Sequence, residues 1–221
     1  ACVFCHRHSE NATPHSSFIP YLNTAHEEDN KLFKGYKQEL KEIGYERYFG
    51  VRFELDTAAS LIRRDVNYSS PDPPDFVVQT GDGEISIECT TSHFSGGDRT
   101  AREKYTQFLT SKSSKEYFNE NTALFVDVTN IDFFEAHSEE SNQITGENEK
   151  SWIRECSENF GLDIGSVVVF RYIGHGQGIG HHYRRCDIHD NITPELKDFL
   201  DEQYPIENVS TETSPYHFSE G

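Results

Sequence analysis

Residues 71–91 read PDPPDFVVQTGDGEISIECTT, and this stretch decides the fold. Its Pro-rich opening is a loop that ends at Asp75. Phe76-Val77-Val78 then reads as a short strand. Thr80-Gly81-Asp82-Gly83 is a hairpin turn signal, because the glycines accept backbone angles that other residues resist. Glu84 to Thr90 alternates with period two, the spacing of a strand. Ile85, Ile87 and Cys89 share one face, and Glu84, Ser86, Glu88 and Thr90 share the other. Paired through the hairpin, the strands bring Asp75 and Glu88 to one end of a sheet. Two convergent carboxylates suit a hard divalent cation such as Mg²⁺ or Mn²⁺, which orients water and offsets charge developing on a phosphate.

Working outward, residues 31–64 read as helix with a break near Gly44, on the stripe Tyr45, Tyr48, Phe49, Phe53, Ala59 and Ile62. Residues 65–75 are a loop, and 100–118 an amphipathic helix. Residues 123–129 (ALFVDVT) and 166–173 (SVVVFRYI) are apolar runs that suit buried strands. A short helix is expected over 151–160, and a Gly/His loop from Gly174 to Gly180. That loop holds His175 and precedes His181, His182, Arg184 and Arg185, residues suited to phosphate or metal contact. Thr193 caps a last helix that opens at Pro194. The order predicts an α/β fold, a mixed central sheet flanked by helices. Three regions are expected: a Cys/His-rich segment over 1–30, an α/β core over 31–180, and a C-terminal knuckle, helix and acidic tail over 181–221.

The chain has 221 residues, enough to bury roughly 70% of its unfolded surface without disulfides. Sixteen Phe and eleven Tyr argue against disorder. No run of about 18 apolar residues offers a membrane span, and the opening lacks an apolar leader. Five cysteines, an odd number, fit a reducing, intracellular (cytoplasmic) setting. Thirty-eight acidic against twenty basic residues give a net charge of −18, which works against a polyanionic partner. The acid excess is concentrated, however. Residues 135–149 hold five acids and no Lys or Arg, and 195–221 hold seven acids and one Lys. Residues 99–117 hold five basic residues against two acids.

The run 71–91, after a Glu-bearing helix and before a basic one, resembles the PD-(D/E)XK nuclease superfamily over roughly residues 40–175. Pro74-Asp75 matches the first half of the pattern and Glu88-Cys89-Thr90 the second, with Thr90 where the family usually has Lys. The resemblance implies a restriction-endonuclease-like core hydrolysing phosphodiester bonds in DNA. It implies Mg²⁺ on Asp75 and Glu88, a further acid at Glu54 (Glu46 being the alternative), and Thr90 beside the attacking water. Lys104, on the next helix, is the nearest lysine to stand in for the missing one. Arg99, Arg102, Lys104 and Lys112 would meet backbone phosphates. DNA is the expected partner, with no membrane and a homodimer as the candidate assembly. A fold that kept its shape but lost its lysine, acting as a binding module, is the competing function.

Cys2-Val3-Phe4-Cys5 and Cys186-Asp187-Ile188-His189 have the spacing of zinc knuckles, and together form a Cys₃His set for structural zinc. A local set of Cys2, Cys5 and two of His6, His8 and His15 competes with it. The segment Cys2 to Pro20 also resembles the opening of HNH-type nuclease zinc modules, which would centre an enzyme on His15. Cys89 and Cys156 lie in core-like patterns and are expected to be buried apolar residues.

Overall fold

The structure is a computed structural model that describes residues 34–36, 38–39, 45–81, 83–92, 99–112, 115–131, 146–175, 178–188 and 192–206. The chain divides into two compact units, Ala1–Val66 and Asn67–Gly221.

The first unit holds helix α1, Tyr45–Arg63. Val51, Phe53, Leu55, Ala58, Ala59 and Leu61 are buried along it, so its apolar surface is wider than the stripe predicted. Its end follows from hydrogen-bond bookkeeping. The last carbonyls of a helix lack partners unless the chain turns back on them. Asp65 takes the left-handed conformation (φ 57°). The Val66 N–H then donates to the Leu61 carbonyl at 3.0 Å and the Asp65 N–H to the Ile62 carbonyl at 3.0 Å, the two bonds of a Schellman cap.

The second unit is an α/β sheet of six strands in chain order. β1 (Tyr68–Ser69), β2 (Phe76–Gln79) and β3 (Glu84–Thr91) are antiparallel neighbours. The β2–β3 turn closes as expected: the Thr80 N–H donates to the Gly83 carbonyl at 2.8 Å, and the Gly83 N–H to Thr80 Oγ1 at 3.0 Å. β3, β4 (Thr122–Asp127) and β5 (Ser166–His175) run parallel. Parallel neighbours need a crossover, supplied by α2 (Ala101–Lys112) and α3 (Gly146–Phe160). Tyr105, Phe108 and Leu109 of α2 and Ile153 and Cys156 of α3 share one apolar cluster with Leu124, Val126, Val167 and Val169 of the sheet. Beyond β6 (Gly178–Asp187), α4 (Pro194–Gln203) is capped by Thr193, whose Oγ1 accepts from the Leu196 N–H at 3.2 Å. Tyr204, just past α4, packs edge-on against Phe125, Phe170 and Tyr183. No described helix is long and apolar enough to cross a membrane.

Three expectations need correction. The segment Gly174 to Gly180 is not a free loop: it is the closing end of a long β5–β6 hairpin, with His175 opposite Gly178. β6 itself was not expected, because RR and HH interrupt its apolar pattern. Its charges are neutralised instead. The Arg185 side chain is fully buried and donates to Asp187 at 2.5 and 2.6 Å and to Asp201 at 2.7 Å. α3 begins at Gly146 rather than at 151, which carries Glu149 out of the acidic stretch and into the interior. β6 and α4 belong to the sheet unit.

Glu149 is fully buried. One oxygen meets Arg171 and the Tyr105 hydroxyl; the other accepts from Arg184 Nη1 at 2.8 Å. Four elements, α2, α3, β5 and β6, therefore meet on one carboxylate. Removing one side of a buried ion pair leaves an uncompensated charge, at a cost of about 3–5 kcal/mol. Glu149→Gln should lower the unfolding free energy by that amount in a urea titration. A loss under about 1 kcal/mol would mean the two guanidinium groups do not depend on this carboxylate.

Candidate active site

Pro74 is buried at the end of the loop, and Asp75 stands immediately before β2. The β2–β3 register pairs Phe76 with Ile87, so one step further along the ladder sets Asp75 across from Glu88. There the Asp75 side chain takes over a ladder bond: the Cys89 N–H donates to Asp75 Oδ2 at 2.6 Å. A charged acceptor on a backbone N–H makes a strong bond that fixes the carboxyl group.

Glu88 lies on the face of β3 turned to α2, in register with Leu124 of the apolar cluster. That face carries the polar residues of the strand's alternation, yet Glu88 is only 4% exposed. Its burial is possible because both oxygens are held. Lys112 Nζ donates to Oε1 at 2.8 Å, and the Tyr117 hydroxyl to Oε2 at 2.9 Å. Thr90 lies two residues on and shares that face by the period of the strand, half-buried.

The electrostatics follow from the placement. Burial and then the neighbouring Glu88 charge push the Asp75 carboxyl up to about 6, against the opposing pull of the Cys89 N–H and Lys112. Asp72 adds a smaller push in the same direction. Burial, the bond to Glu88 and the charges of Glu88, Asp75 and Asp72 push the Tyr117 phenol far up, so it stays a donor at any physiological pH.

The register sets Asp75 opposite Glu88, as expected, and the lysine that reaches Glu88 is Lys112, whereas the expected stand-in was Lys104. Lys104 is 4% exposed on the inner face of α2. Lys112 reaches Glu88 from the last turn, where the helix dipole favours a cation. The crossover explains this. α2 must run back along β3 before β4 can start parallel to it, so its C-terminal turn returns to the level of Glu88. Lys112 lies about 12 Å further along the helix than Lys104. Tyr117 carries no motif and falls inside the helix expected over 100–118; that helix ends at Lys112, which leaves Tyr117 in the turn beyond it.

The other basic residues expected to meet phosphates have other tasks. Arg99 donates to Gln107 at 2.5 Å, and Arg102 pairs with Glu155 of α3. Glu54 belongs to α1 in the first unit and is half-buried there. Cys2, Cys5, His15 and His189 lie outside the described residues. Cys186 is 3% exposed in the apolar cluster, and burial raises its thiol to about 11. It packs as a core residue, and Cys89 and Cys156 are buried thiols as well. Among the described residues no three His, Cys, Asp or Glu side chains gather into a metal-holding group. Three members of the expected Cys₃His set, Cys2, Cys5 and His189, lie outside those residues.

Comparison of the chain with protein-family models, with curated proteins and with solved structures finds no match.

Asp75 holds its proton more tightly folded than unfolded, where its value is 3.8. The stability this contributes is complete below that value and is lost as the pH rises through about 6. Asp75→Asn keeps an acceptor for the Cys89 N–H and removes the ionisation. Urea denaturation should find the variant more stable than the parent at pH 8, by up to about 3 kcal/mol. The advantage should shrink steadily towards pH 4; an equal or weaker variant at pH 8 would count against a buried, charge-crowded Asp75.

Proposed function

We propose that the chain is a metal-dependent phosphodiester hydrolase acting on DNA, with a restriction-endonuclease-like core. In this reading Lys112, from the helix after β3, stands in for the lysine that the PD-(D/E)XK pattern places at Thr90. One observation carries the reading: Asp75 and Glu88 are neighbours across β2 and β3, and an ammonium group sits 2.8 Å from Glu88.

A divalent ion suits this donor set. Burial, and then the neighbouring Glu88 carboxylate, make the Asp75 proton hard to remove, and a cation offsets both. Asp75 and Glu88 would hold the ion, with waters completing its shell. When bound, it supplies an activated water and polarises the phosphate. The protein's own residues do the rest. The Cys89 N–H fixes Asp75. Lys112 and Tyr117 hold Glu88 in a single orientation. Thr90 offers a hydroxyl on the same face. Zinc on Cys2 and Cys5 as a structural ion belongs to the same proposal, and metal analysis of the purified protein reads it.

A second reading has its own observation. Both Glu88 oxygens are already occupied, and the chain carries −18 overall. A binding module that retains the fold without hydrolysis fits those facts.

Supercoiled plasmid with Mg²⁺ or Mn²⁺ separates the two. Hydrolysis predicts nicked and linear DNA, none of it in EDTA. Asp75→Asn, Glu88→Gln and Lys112→Ala should each reduce the rate by about 100-fold or more, the usual scale for removing a charge-stabilising group. Intact plasmid at a molar excess of protein, together with Mn²⁺ calorimetry that is flat and unchanged by Glu88→Ala, supports the binding module instead.

A further inference from the structure

A nucleic-acid strand approaching two carboxylates needs a cation that is not already spent. Among the basic residues expected to serve, Arg99 is engaged with Gln107, Arg102 with Glu155, and Lys104 is buried. Lys112 is neutralised by Glu88. Lys115 is different. It is exposed, and among the described residues no carboxylate pairs with it; its ammonium lies 5.6 Å over the Tyr117 ring. A ring face attracts a cation and holds it without cancelling its charge.

The same ring reaches Glu88 through its hydroxyl, 2.9 Å from Oε2. Tyr117 is therefore a rigid spacer, with the buried carboxylate at its tip and the exposed ammonium on its face. The turn is well tied. The Lys115 N–H donates to the Lys112 carbonyl at 3.2 Å and the Phe118 N–H to the Lys115 carbonyl at 3.1 Å. The Phe118 ring packs edge-on to Tyr117 at 5.3 Å, and the Asn119 N–H donates to Thr122 Oγ1 at the start of β4.

We propose that the turn Lys115–Tyr117 is the phosphate-gripping element of this site: Lys115 meets a backbone phosphate of a DNA strand, and Tyr117 is the positioning residue that sets this cation at a fixed reach from Glu88. The inference rests on the hydrolase reading for its location, and it is tested by binding alone. Each lysine that neutralises one phosphate contributes about one unit to the slope of log affinity against log salt.

The experiment follows a fluorescein-labelled DNA oligonucleotide by anisotropy in EDTA, where no metal-dependent cleavage runs, across a salt series. Lys115→Ala should weaken binding several-fold at low salt and lower the slope by about one. Lys115→Arg should restore the slope, since the charge returns. Lys197→Ala removes the same charge from α4, where Lys197 pairs with Asp201, and should leave the slope unchanged. An unchanged slope in Lys115→Ala, an equal drop in Lys197→Ala, or no binding by the parent chain overturns the inference. The two failures are distinguishable. Lys115-dependent binding with intact plasmid sinks the hydrolase reading alone, whereas metal-dependent nicking with Lys115-independent binding sinks this one alone.

Discussion

Two carboxylates, Asp75 and Glu88, are kept side by side and largely out of water, and the arrangement at the candidate site depends on how that repulsion is managed. Like charges in a low dielectric raise each other's affinity for protons. Glu88 is held by Lys112 and Tyr117, one donor on each oxygen. At Asp75, burial and then the Glu88 charge outweigh the Cys89 N–H and Lys112, and its carboxyl rises to about 6. The asymmetry leaves one carboxylate settled and the other in want of positive charge. A divalent ion supplies that charge directly, which ties the electrostatics of the fold to the proposed chemistry.

The same rule organises the rest of the sheet unit. Buried charge is tolerated where it is paired and its hydrogen bonds are complete. Glu149 gathers two arginines and a tyrosine from three other elements; Arg185 gathers two aspartates and links β6 to α4. These clusters convert segments that look like polar surface into interior. The acidity of the chain is consistent with this. Several charged groups of the sheet unit answer to partners within the protein, so net charge is a poor guide to what the face around Glu88 presents.

The basic helix makes the point again. Four cations, Arg99, Arg102, Lys104 and Lys112, read as a phosphate-binding face. In the fold they diverge, because a helix turns each residue about 100° from the last and only one side of α2 faces the sheet. Lys104 goes inward with Tyr105 and Phe108, Arg102 reaches α3, Lys112 at the end of the helix meets Glu88, and Lys115 just past it lies over the Tyr117 ring.

The sequence by itself determined the local pieces: the hairpin at Thr80–Gly83, the alternating face of β3, the Thr193 cap, and the nearness of Asp75 to Glu88. Each depends on residues a few positions apart, where turn chemistry and the period of a strand act directly. Only the tertiary structure decided which lysine meets Glu88, that Tyr117 joins it, that β6 is a strand, and that Glu149 is buried. Those outcomes depend on charge partners distant along the chain, such as Glu149 with Arg184 and Arg185 with Asp201. A one-dimensional pattern records that a residue is charged, and the folded chain alone decides whether a counter-charge stands opposite it.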